Sequence, residues 1–387
     1  MNNPKRHIKG NPFVYGETVA GENFTDREEE LMIMERDALD GQTVFLISPR
    51  RYGKTSLLLN LFHRLRNRDA LTVYLDLYRC ASLGQFLNLY LSQILKSSAS
   101  GVDKVTHFLR DFMPSLRPKI IVNQDGSVHA ELGLSPTARD YTPYLTDVLD
   151  LPARIAARRK KPVVVAWDEF QEIRNYNGET LEKTIRSVIQ HHRHVGYLFS
   201  GSKRHIIKDM IFREDRAFYK SGKVMTLNKI PRPLFTKFID RKFSATGFTL
   251  ADGVIDEILD KAGDGPYFVQ YLCHEIWDNK LITKKIDKKD VNEIMAKIVS
   301  EESPIYLTIW NDLTLAQRRL LQAIAGDTGK GVFSQDYLAQ HDLGSASSVQ
   351  TSTHLLIEKG LLDRENGDFY IEDVIFRHWI MQYGTPE

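Results

Sequence analysis

Short apolar runs alternate with amphipathic stretches through the first hundred residues of the chain. Thr43–Ile47 and Leu71–Leu77 are rich in β-branched and large apolar residues, as expected of strands that are buried on both faces. Each run is followed by a stretch with leucines at helical spacing, Lys54–Arg68 after the first and Leu83–Leu95 after the second. This alternation predicts an α/β fold of right-handed βαβ units, with a parallel sheet and helices on both of its faces.

The middle of the chain adds two strands and an insertion. Val163–Trp167 is the most apolar run, and Val195–Ser200 is a further strand candidate. Between Leu77 and Val163, the stretch Ile120–Leu134 is predicted to be a hairpin that turns at Asp125-Gly126, a dipeptide typical of type I′ turns. We expect this hairpin to be an insertion into the sheet domain at about residues 118–136.

Helices dominate after about residue 230. The predicted helices are Leu234–Ser244, Val254–Ala262, Tyr267–Asn279 and Lys289–Val299. The last segment has several more helices, followed by two short runs, Gly360–Arg364 and Phe369–Ile371, joined through Asn366-Gly367. Helices closed by such a hairpin are typical of a winged helix.

A chain of 387 residues is long enough for two or three domains. We predict a P-loop α/β core over residues 1–230, a helical lid over 231–302 and a winged-helix domain over 303–387. The sequence has no run of eighteen apolar residues, and its first residues are polar, so neither a membrane span nor a signal peptide is expected. The expected location is the cytoplasm, with Cys80 and Cys273 as buried reduced thiols.

A glycine-lysine-threonine core follows the first strand and opens the first helix. The stretch reads Ser48-Pro49-Arg50-Arg51-Tyr52-Gly53-Lys54-Thr55-Ser56. This is the pattern of a phosphate-binding P-loop, whose backbone N–H groups surround phosphates at a helix N-terminus. Lys54 would neutralise the β- and γ-phosphates and Thr55 would ligate Mg²⁺. The departure from the pattern is Ser48, where the first glycine usually stands.

An acidic pair ends the most apolar strand. Asp168 and Glu169 follow Val163–Trp167 directly. If the chain is a P-loop ATPase, Asp168 would hold Mg²⁺ through its water shell, and Glu169 would orient or deprotonate the attacking water. Alone, such a pair is more often the start of a helix, and it is the P-loop that favours the functional interpretation. The interval from Thr55 to Asp168 leaves room for an inserted strand, as in P-loop ATPases with a catalytic glutamate.

The next strand, Val195–Ser200, ends in small polar residues. Ser202, or with less support Ser200, is a candidate to donate a hydrogen bond to the γ-phosphate or to the attacking water. An ordinary strand-to-helix turn explains the same residues equally well.

These motifs together resemble the archaeal and bacterial STAND-like P-loop ATPases, which are related to the AAA+ origin-recognition ATPases. The resemblance extends over nearly the whole chain and rests on Asn11-Pro12-Phe13, Phe24–Leu31, the phosphate loop, Trp167–Gln171, Phe199–Ser202, Ala217–Tyr219 and Gly263–Cys273. It implies an adenine nucleotide, and a lid proline, Pro266, that reaches this nucleotide. The family usually has glycine where this chain has Asp26 and often has it where this chain has Asp264.

Charge is distributed unevenly although the formal net charge is only +2. Lys203–Lys242 has twelve basic residues against four acidic ones, and residues 304–387 have six basic against eleven acidic ones. The predicted recognition helix, Ser345–Lys359, has a single lysine, so DNA binding through it is possible but not favoured. An acidic winged helix would instead suit a protein partner, or dock on the basic surface of the core. The alternative for the basic stretch is an ordinary solvated surface.

Arginines in the basic stretch are candidates for an arginine finger. Arg216 and Arg213 are the first candidates and Arg204 is another, acting on the chain's own nucleotide or on that of a neighbour in a homo-oligomer. The favoured hypothesis is a nucleotide-controlled switch that binds ATP and Mg²⁺ and hydrolyses ATP. The rivals are a DNA-binding origin-recognition-like or mobile-element ATPase, and a scaffold that binds nucleotide without turnover.

Overall fold

The computed structural model describes residues 10–99, 102–113, 119–122, 128–132, 142–327, 329–365 and 367–384. The chain divides into two units, which we call the core unit and the helical unit. The core unit is Arg27–Asn228, and the helical unit consists of the described residues before and after that range.

The core unit contains the strands predicted from the apolar runs. Its strands in chain order are β1 (Thr43–Ile47), β2 (Leu71–Asp76), β3 (Lys119–Val122), β4 (Val128–Glu131), β5 (Val163–Asp168), β6 (Val195–Gly201) and β7 (Lys223–Thr226). Its helices are α1 (Glu28–Leu39), α2 (Lys54–Asn67), α3 (Leu83–Ser98), α4 (Val102–Phe112), α5 (Thr142–Arg159), α6 (Arg174–Ile189) and α7 (Arg204–Phe212). Two 3-10 turns, Leu77–Arg79 and Phe170–Ile173, follow β2 and β5.

Five of these strands form one parallel sheet in the order β2-β5-β6-β1-β7. Strand β6 lies between β1, which precedes the phosphate loop, and β5, which ends in Asp168. It follows Asp168 in the chain, whereas β2, the sheet strand from the interval between Thr55 and Asp168, lies beyond β5 at the sheet edge, so the strand between β1 and β5 is not from the predicted interval. Because all five strands run in the same direction, the residues that follow β1, β5 and β6 meet at one edge of the sheet. Flanking helices cover the sheet, so the predicted α/β P-loop fold is confirmed.

A layer of aromatic side chains supports the turn after β5. Phe170 stacks on Phe199 of β6 with a centroid distance of 4.3 Å, and Trp167 packs edge-on against Phe199 at 5.4 Å. Phe45 of β1 and Phe218 complete the cluster. These rings are fully buried, and burying each contributes about 1.5–3 kcal/mol. The packing holds the backbone of residues 168–171 in place.

Strands β3 and β4 pair antiparallel as a separate hairpin at the predicted insertion. The turn predicted at Asp125-Gly126 lies outside the described residues. Strand β7 was not predicted because it is short, exposed and begins with a lysine, features that weaken the apolar signal of a sheet-edge strand.

The helical unit is built mainly from helices. These are α8 (Arg232–Ala245), α9 (Val254–Lys261), α10 (Pro266–Asn279), α11 (Lys288–Asn311), α12 (Leu315–Gly326), α13 (Gln335–Gln340), α14 (Ala346–Glu358) and α15 (Val374–Tyr383). Its strands are β8 (Thr249–Leu250), β9 (Lys285–Ile286), β10 (Leu362–Glu365) and β11 (Asp368–Ile371). Helix α14 matches the predicted recognition helix, and β10 and β11 pair antiparallel as the wing. The predicted winged-helix domain is thus confirmed, although Asn366 lies outside the described residues.

The helix predicted to end at Val299 instead continues to Asn311, and this expectation was wrong. The predicted lid boundary at 302/303 falls inside this helix. Pro304 removes one helical hydrogen bond, which the packing of the following turns offsets. Tyr306 packs on Phe376 at 5.0 Å and Trp310 packs on Trp379 at 5.8 Å, so the helical turns after Pro304 are stabilised by contacts with α15.

The segment Asn11–Tyr15 packs against α8 and α10 within the helical unit. Phe13 is buried against Phe243 with a centroid distance of 4.6 Å. Lys242 donates to the carbonyl oxygen of Pro12 at 3.1 Å, and Asn11 donates to the carbonyl oxygen of His274 at 3.0 Å. The segment before the core unit thus belongs structurally with the helices that follow it.

In the described part of the chain, no helix combines the length and the apolar character that a bilayer crossing requires.

Candidate functional site

The phosphate loop lies between β1 and α2 and contains two residues in the left-handed region. Gly53 has φ 86° and Arg51 has φ 64°. A Cβ at Gly53 would meet no atom within 4 Å, so the backbone conformation, not lack of space, favours glycine there. Lys54 is buried as the first residue of α2, next to Thr55 and the buried Ser56.

Serine is tolerated at position 48 for a structural reason. Ser48 is not among the described residues with positive φ, and it is fully buried. Its Oγ donates to the carbonyl oxygen of Pro49 at 3.0 Å. The position therefore does not require glycine's freedom, and Ser48 completes the turn through its own side chain.

Aspartates occupy the two other positions at which the resemblance implies that glycine is common. Asp26 and Asp264 both adopt left-handed φ values, 46° and 58°. Aspartate is one of the few non-glycine residues that tolerate this region. The Asp264 carboxylate pairs with Arg232 at 2.8 Å, which fixes the turn before α10.

Asp168 is the centre of a hydroxyl cluster at the end of β5. Thr55 Oγ1 donates to Asp168 Oδ2 at 2.7 Å, and the hydroxyl of Tyr74 donates to the same oxygen at 2.9 Å. Ser200 Oγ donates to Asp168 Oδ1 at 2.5 Å, and the backbone N–H of Glu169 donates there at 3.1 Å. The structure therefore brings the phosphate loop and the acidic strand end into direct contact.

The donor set of this cluster fits Mg²⁺. Thr55 offers a hydroxyl oxygen and Asp168 a carboxylate oxygen beside it, and both are the hard oxygen ligands that Mg²⁺ takes in sites completed by phosphates. No group of three His, Cys, Asp or Glu side chains in the described residues is arranged to hold a metal by itself. A metal here would therefore depend on nucleotide phosphates.

Negative charge accumulates at this edge of the sheet. Asp76, the last residue of β2, is in register with Asp168. Burial raises the pKa of the Asp76 carboxyl, and the charges of Asp168 and Glu169 raise it further. Burial and the nearby Asp168 also raise the pKa of Tyr74, so its hydroxyl stays a donor. A cation would offset this charge.

Glu169 adopts a left-handed conformation with φ 53° at the start of the 3-10 turn. Such a conformation costs a non-glycine residue about 1–2 kcal/mol, and strain of this kind clusters at functional sites. Its Oε2 accepts from Ser202 Oγ at 2.8 Å, from the Ser202 backbone N–H at 3.2 Å and from Gln171 Nε2 at 2.5 Å. The structure thus brings Ser202 to Glu169, and Ser200 to Asp168.

The predicted arginine-finger candidates and the predicted lid proline make none of the hydrogen bonds described above for Asp168 and Glu169. Arg216 forms ion pairs with Glu179 at 2.6 Å and with Asp209 at 3.2 Å, and only 10% of its side chain is exposed. Arg213 pairs with Asp209 and Asp215. Pro266 is the first residue of α10 in the helical unit. The functions predicted for Arg216 and Pro266 stay predictions.

Sequence reasoning missed Tyr74, Asp76 and Gln171. Tyr74 and Asp76 are two residues apart on β2 and so point to the same face of the strand, the alternation that identifies neighbours along a sheet. A polar pair at the carboxyl end of an otherwise apolar strand was the available signal. No local pattern distinguishes Gln171 from any other residue of a turn.

The fold and the phosphate loop define the P-loop ATPase class of α/β proteins. Residues 24–248 match the family described as "ATPase domain predominantly from Archaea", and residues 304–382 match the family described as "Probable winged helix domain". The first match covers more than half of the chain, which therefore belongs to this archaeal-type ATPase family.

Solved structures show the same fold at low sequence identity. A Walker-type ATPase of Pyrococcus abyssi is 17% identical with a TM-score of 0.65, over 95% of this chain and 99% of that chain. The ORC2 protein of Aeropyrum pernix is 14% identical with a TM-score of 0.53, over 92% of this chain and 93% of that chain. No curated protein matches the sequence.

Proposed function

We propose that the protein is a Mg²⁺-dependent ATPase that acts as a nucleotide-controlled, STAND-like switch. The observation that carries the proposal is the joint placement of two acids at the end of β5. Asp168 contacts Thr55 of the phosphate loop, and Glu169 contacts Ser202 of the neighbouring strand end. These contacts support Asp168 as the metal-binding acid and Glu169 as the proton acceptor of the proposed hydrolysis.

In this mechanism the loop Ser48–Ser56 binds the phosphates through its backbone N–H groups and the Lys54 ammonium. Bound Mg²⁺, held by Thr55 and Asp168, would supply neutralisation of the phosphate charge. Glu169 takes a proton from water as the water oxygen bonds to the γ-phosphorus. The bond from that phosphorus to the bridging oxygen breaks, and its electron pair remains on ADP. Ser202 would orient the γ-phosphate or this water.

ATP hydrolysis tests the proposal directly. Wild-type protein should release phosphate from ATP in the presence of Mg²⁺, and Glu169→Gln should abolish release while retaining nucleotide binding. Lys54→Ala should lose binding itself, because its charge contacts the phosphates in the ground state. Equal, near-zero hydrolysis in wild type and Glu169→Gln would leave a nucleotide-binding scaffold.

The switch part of the proposal is that ATP and ADP favour different conformations, which a protein partner or a second copy of the chain recognises. Pro266 and the arginine-finger candidate Arg216 belong to this part of the proposal. The switch proposal is tested by measuring the mass and the hydrodynamic radius of Glu169→Gln with ATP and with ADP. A change of oligomeric state or of hydrodynamic radius between the two nucleotides is expected, and identical behaviour would argue against a switch.

A DNA-binding, origin-recognition-like function is the second candidate because α14 exposes a polar face. Ser347, Ser348, Gln350, Thr351 and His354 are exposed on it. Six basic against eleven acidic residues over 304–387 disfavour the phosphate contacts that supply most DNA affinity. Salt-dependent binding of duplex DNA by the full chain would favour this candidate. Absence of such binding leaves the acidic winged helix as a surface for a protein partner.

A further inference from the structure

The carboxylate of Glu169 is held by one oxygen only. All three of its side-chain hydrogen bonds, two from Ser202 and one from Gln171, reach Oε2. Among the described residues no donor reaches Oε1. A carboxylate anchored through one oxygen has a fixed plane, and its second oxygen has a defined direction. This is the geometry that a general base needs to meet a water molecule.

Gln171 is placed to supply one of these donors. It lies within the 3-10 turn after β5, and only 3% of the residue is exposed. Its Nε2 donates to Glu169 Oε2 at 2.5 Å. The opposite orientation of the amide would set two oxygen atoms against each other, so the hydrogen-bond network assigns the nitrogen to the Glu169 side.

The other end of the amide is accommodated by a glycine. A Cβ at Gly201 would lie 2.2 Å from Gln171 Oε1, closer than any real contact allows. Gly201 does not have a positive φ, so lack of space, not backbone conformation, opposes a side chain there, and the side chains of Gln171 and Ile207 would have to shift to admit one. Oε1 itself is buried and accepts no hydrogen bond within the described part of the chain. A buried acceptor without a donor is costly, and folding alone offers no reason to keep glutamine there.

We propose that Gln171 is a positioning residue for the hydrolytic reaction, and that Gly201 is required for its placement. Gln171 fixes the Glu169 carboxylate so that Oε1 faces the attacking water, while Gln171 itself contacts neither nucleotide nor water. The inference rests on the proposed ATPase function, since it assigns Glu169 the part of general base.

Steady-state hydrolysis by the full chain tests this inference. Gln171→Ala should lower kcat by about 10–100-fold, less than the ~10²–10⁴-fold contribution of a general base itself. KM, and the Kd of a non-hydrolysable ATP analogue, should stay unchanged because the phosphate loop is untouched. Gln171→Glu, which has the same shape but repels Glu169, should lower kcat at least as far.

Two controls separate positioning from folding. Gln190→Ala makes the same chemical change at an exposed position at the end of α6 and should leave kcat unchanged. In a double-mutant cycle, Gly201→Ala should lower kcat less in the Gln171→Ala background than in wild type, because the two substitutions act on the same amide. Ile207 lies 2.9 Å from the added Cβ in both backgrounds, so its contribution cancels in the cycle.

The outcomes are distinguishable. If Glu169→Gln abolishes hydrolysis but Gln171→Ala has the kcat of Gln190→Ala, the positioning inference is wrong and the ATPase proposal stands. If Gln171→Ala loses analogue binding and thermal stability by as much as it loses kcat, its contribution is to folding and the inference is also wrong. If wild type and Glu169→Gln are equally inactive, both proposals fail.

Discussion

The substitution Ser200→Ala tests whether the hydrogen bonds of the hydroxyl cluster around Asp168 stabilise the folded protein. The side chain is fully buried, and its Oγ donates to Asp168 Oδ1 at 2.5 Å. A hydrogen bond to a charged group contributes about 1.5–3 kcal/mol, whereas one between neutral groups contributes about 0.5–1.5 kcal/mol. Ser200→Ala removes this bond and leaves the backbone N–H of Glu169 as the remaining donor to Oδ1.

The core unit, Arg27–Asn228, has about 200 residues. For a domain of that size, 1 kcal/mol shifts the unfolding midpoint by about 2–4 °C. We therefore expect Ser200→Ala to lower the midpoint of the nucleotide-free protein by about 3–12 °C. Circular dichroism during heating measures this shift. Ser187→Ala is the matched control, since Ser187 is exposed and donates to the Thr184 carbonyl oxygen at 2.8 Å.

A double-mutant cycle with Asp168→Asn identifies the partner of Ser200. Neutralising Asp168 should reduce the cost of Ser200→Ala to that of a neutral hydrogen bond, about 0.5–1.5 kcal/mol. The reasoning is refuted if Ser200→Ala costs no more than Ser187→Ala. It is also refuted if its cost is the same with and without the Asp168 charge.

Three further predictions follow from titratable groups outside that hydrogen bond. Burial and the neighbouring acids raise the pKa of Asp76, so its ionised form opposes folding above that pKa. Asp76→Asn should therefore raise the melting midpoint at pH 7. At low pH, where Asp76 is protonated, the substitution should leave the midpoint unchanged. Burial lowers the pKa of His378, so the protein loses stability as the pH falls below about 6.5, the pKa of an unfolded histidine. Glutamine at this position can keep the 2.9 Å hydrogen bond to the Lys261 carbonyl oxygen but does not titrate. His378→Gln should therefore weaken the dependence of the melting midpoint on pH between pH 7 and pH 5. Lys242→Met should speed chymotrypsin cleavage at Phe13 or Tyr15, because Pro12 loses its donor; an unchanged cleavage rate would show that Phe13 packing alone holds the segment.

The central strands could be predicted almost to the residue. β1 spans the predicted Thr43–Ile47, and β5 extends the predicted Val163–Trp167 by one residue. Both strands are covered on two faces, so nearly every position is apolar and the signal is continuous. The edge strand β7 has one paired side and exposed residues, so the same physical rule explains why it was missed.

The end of helix α11 was predicted wrongly for a different reason. This helix was predicted to end at Val299, and Pro304 opposes its continuation locally because proline removes a helical hydrogen bond. In α11 the residues after Pro304 gain the aromatic contacts of Tyr306 and Trp310 with α15, which come from more than sixty positions further along the chain. Packing between segments so distant in sequence leaves no local pattern, and it outweighs the local rule.

The site shows the same division between local and distant information. Thr55 and Asp168 were predicted to cooperate because an acidic pair at the end of an apolar strand is the expected partner of a P-loop, and the parallel sheet brings the two together. Their partners Tyr74 and Gln171 depend instead on which side chains face each other across strands and turns. A phosphate loop and an acidic strand end are shared by many nucleotide-binding proteins, so they favour nucleotide binding but do not distinguish proteins that hydrolyse the nucleotide. Whether Glu169 can act on water depends on the groups that fix its carboxylate. The residues hardest to predict from the sequence are therefore those that separate an ATPase from a scaffold that only binds nucleotide.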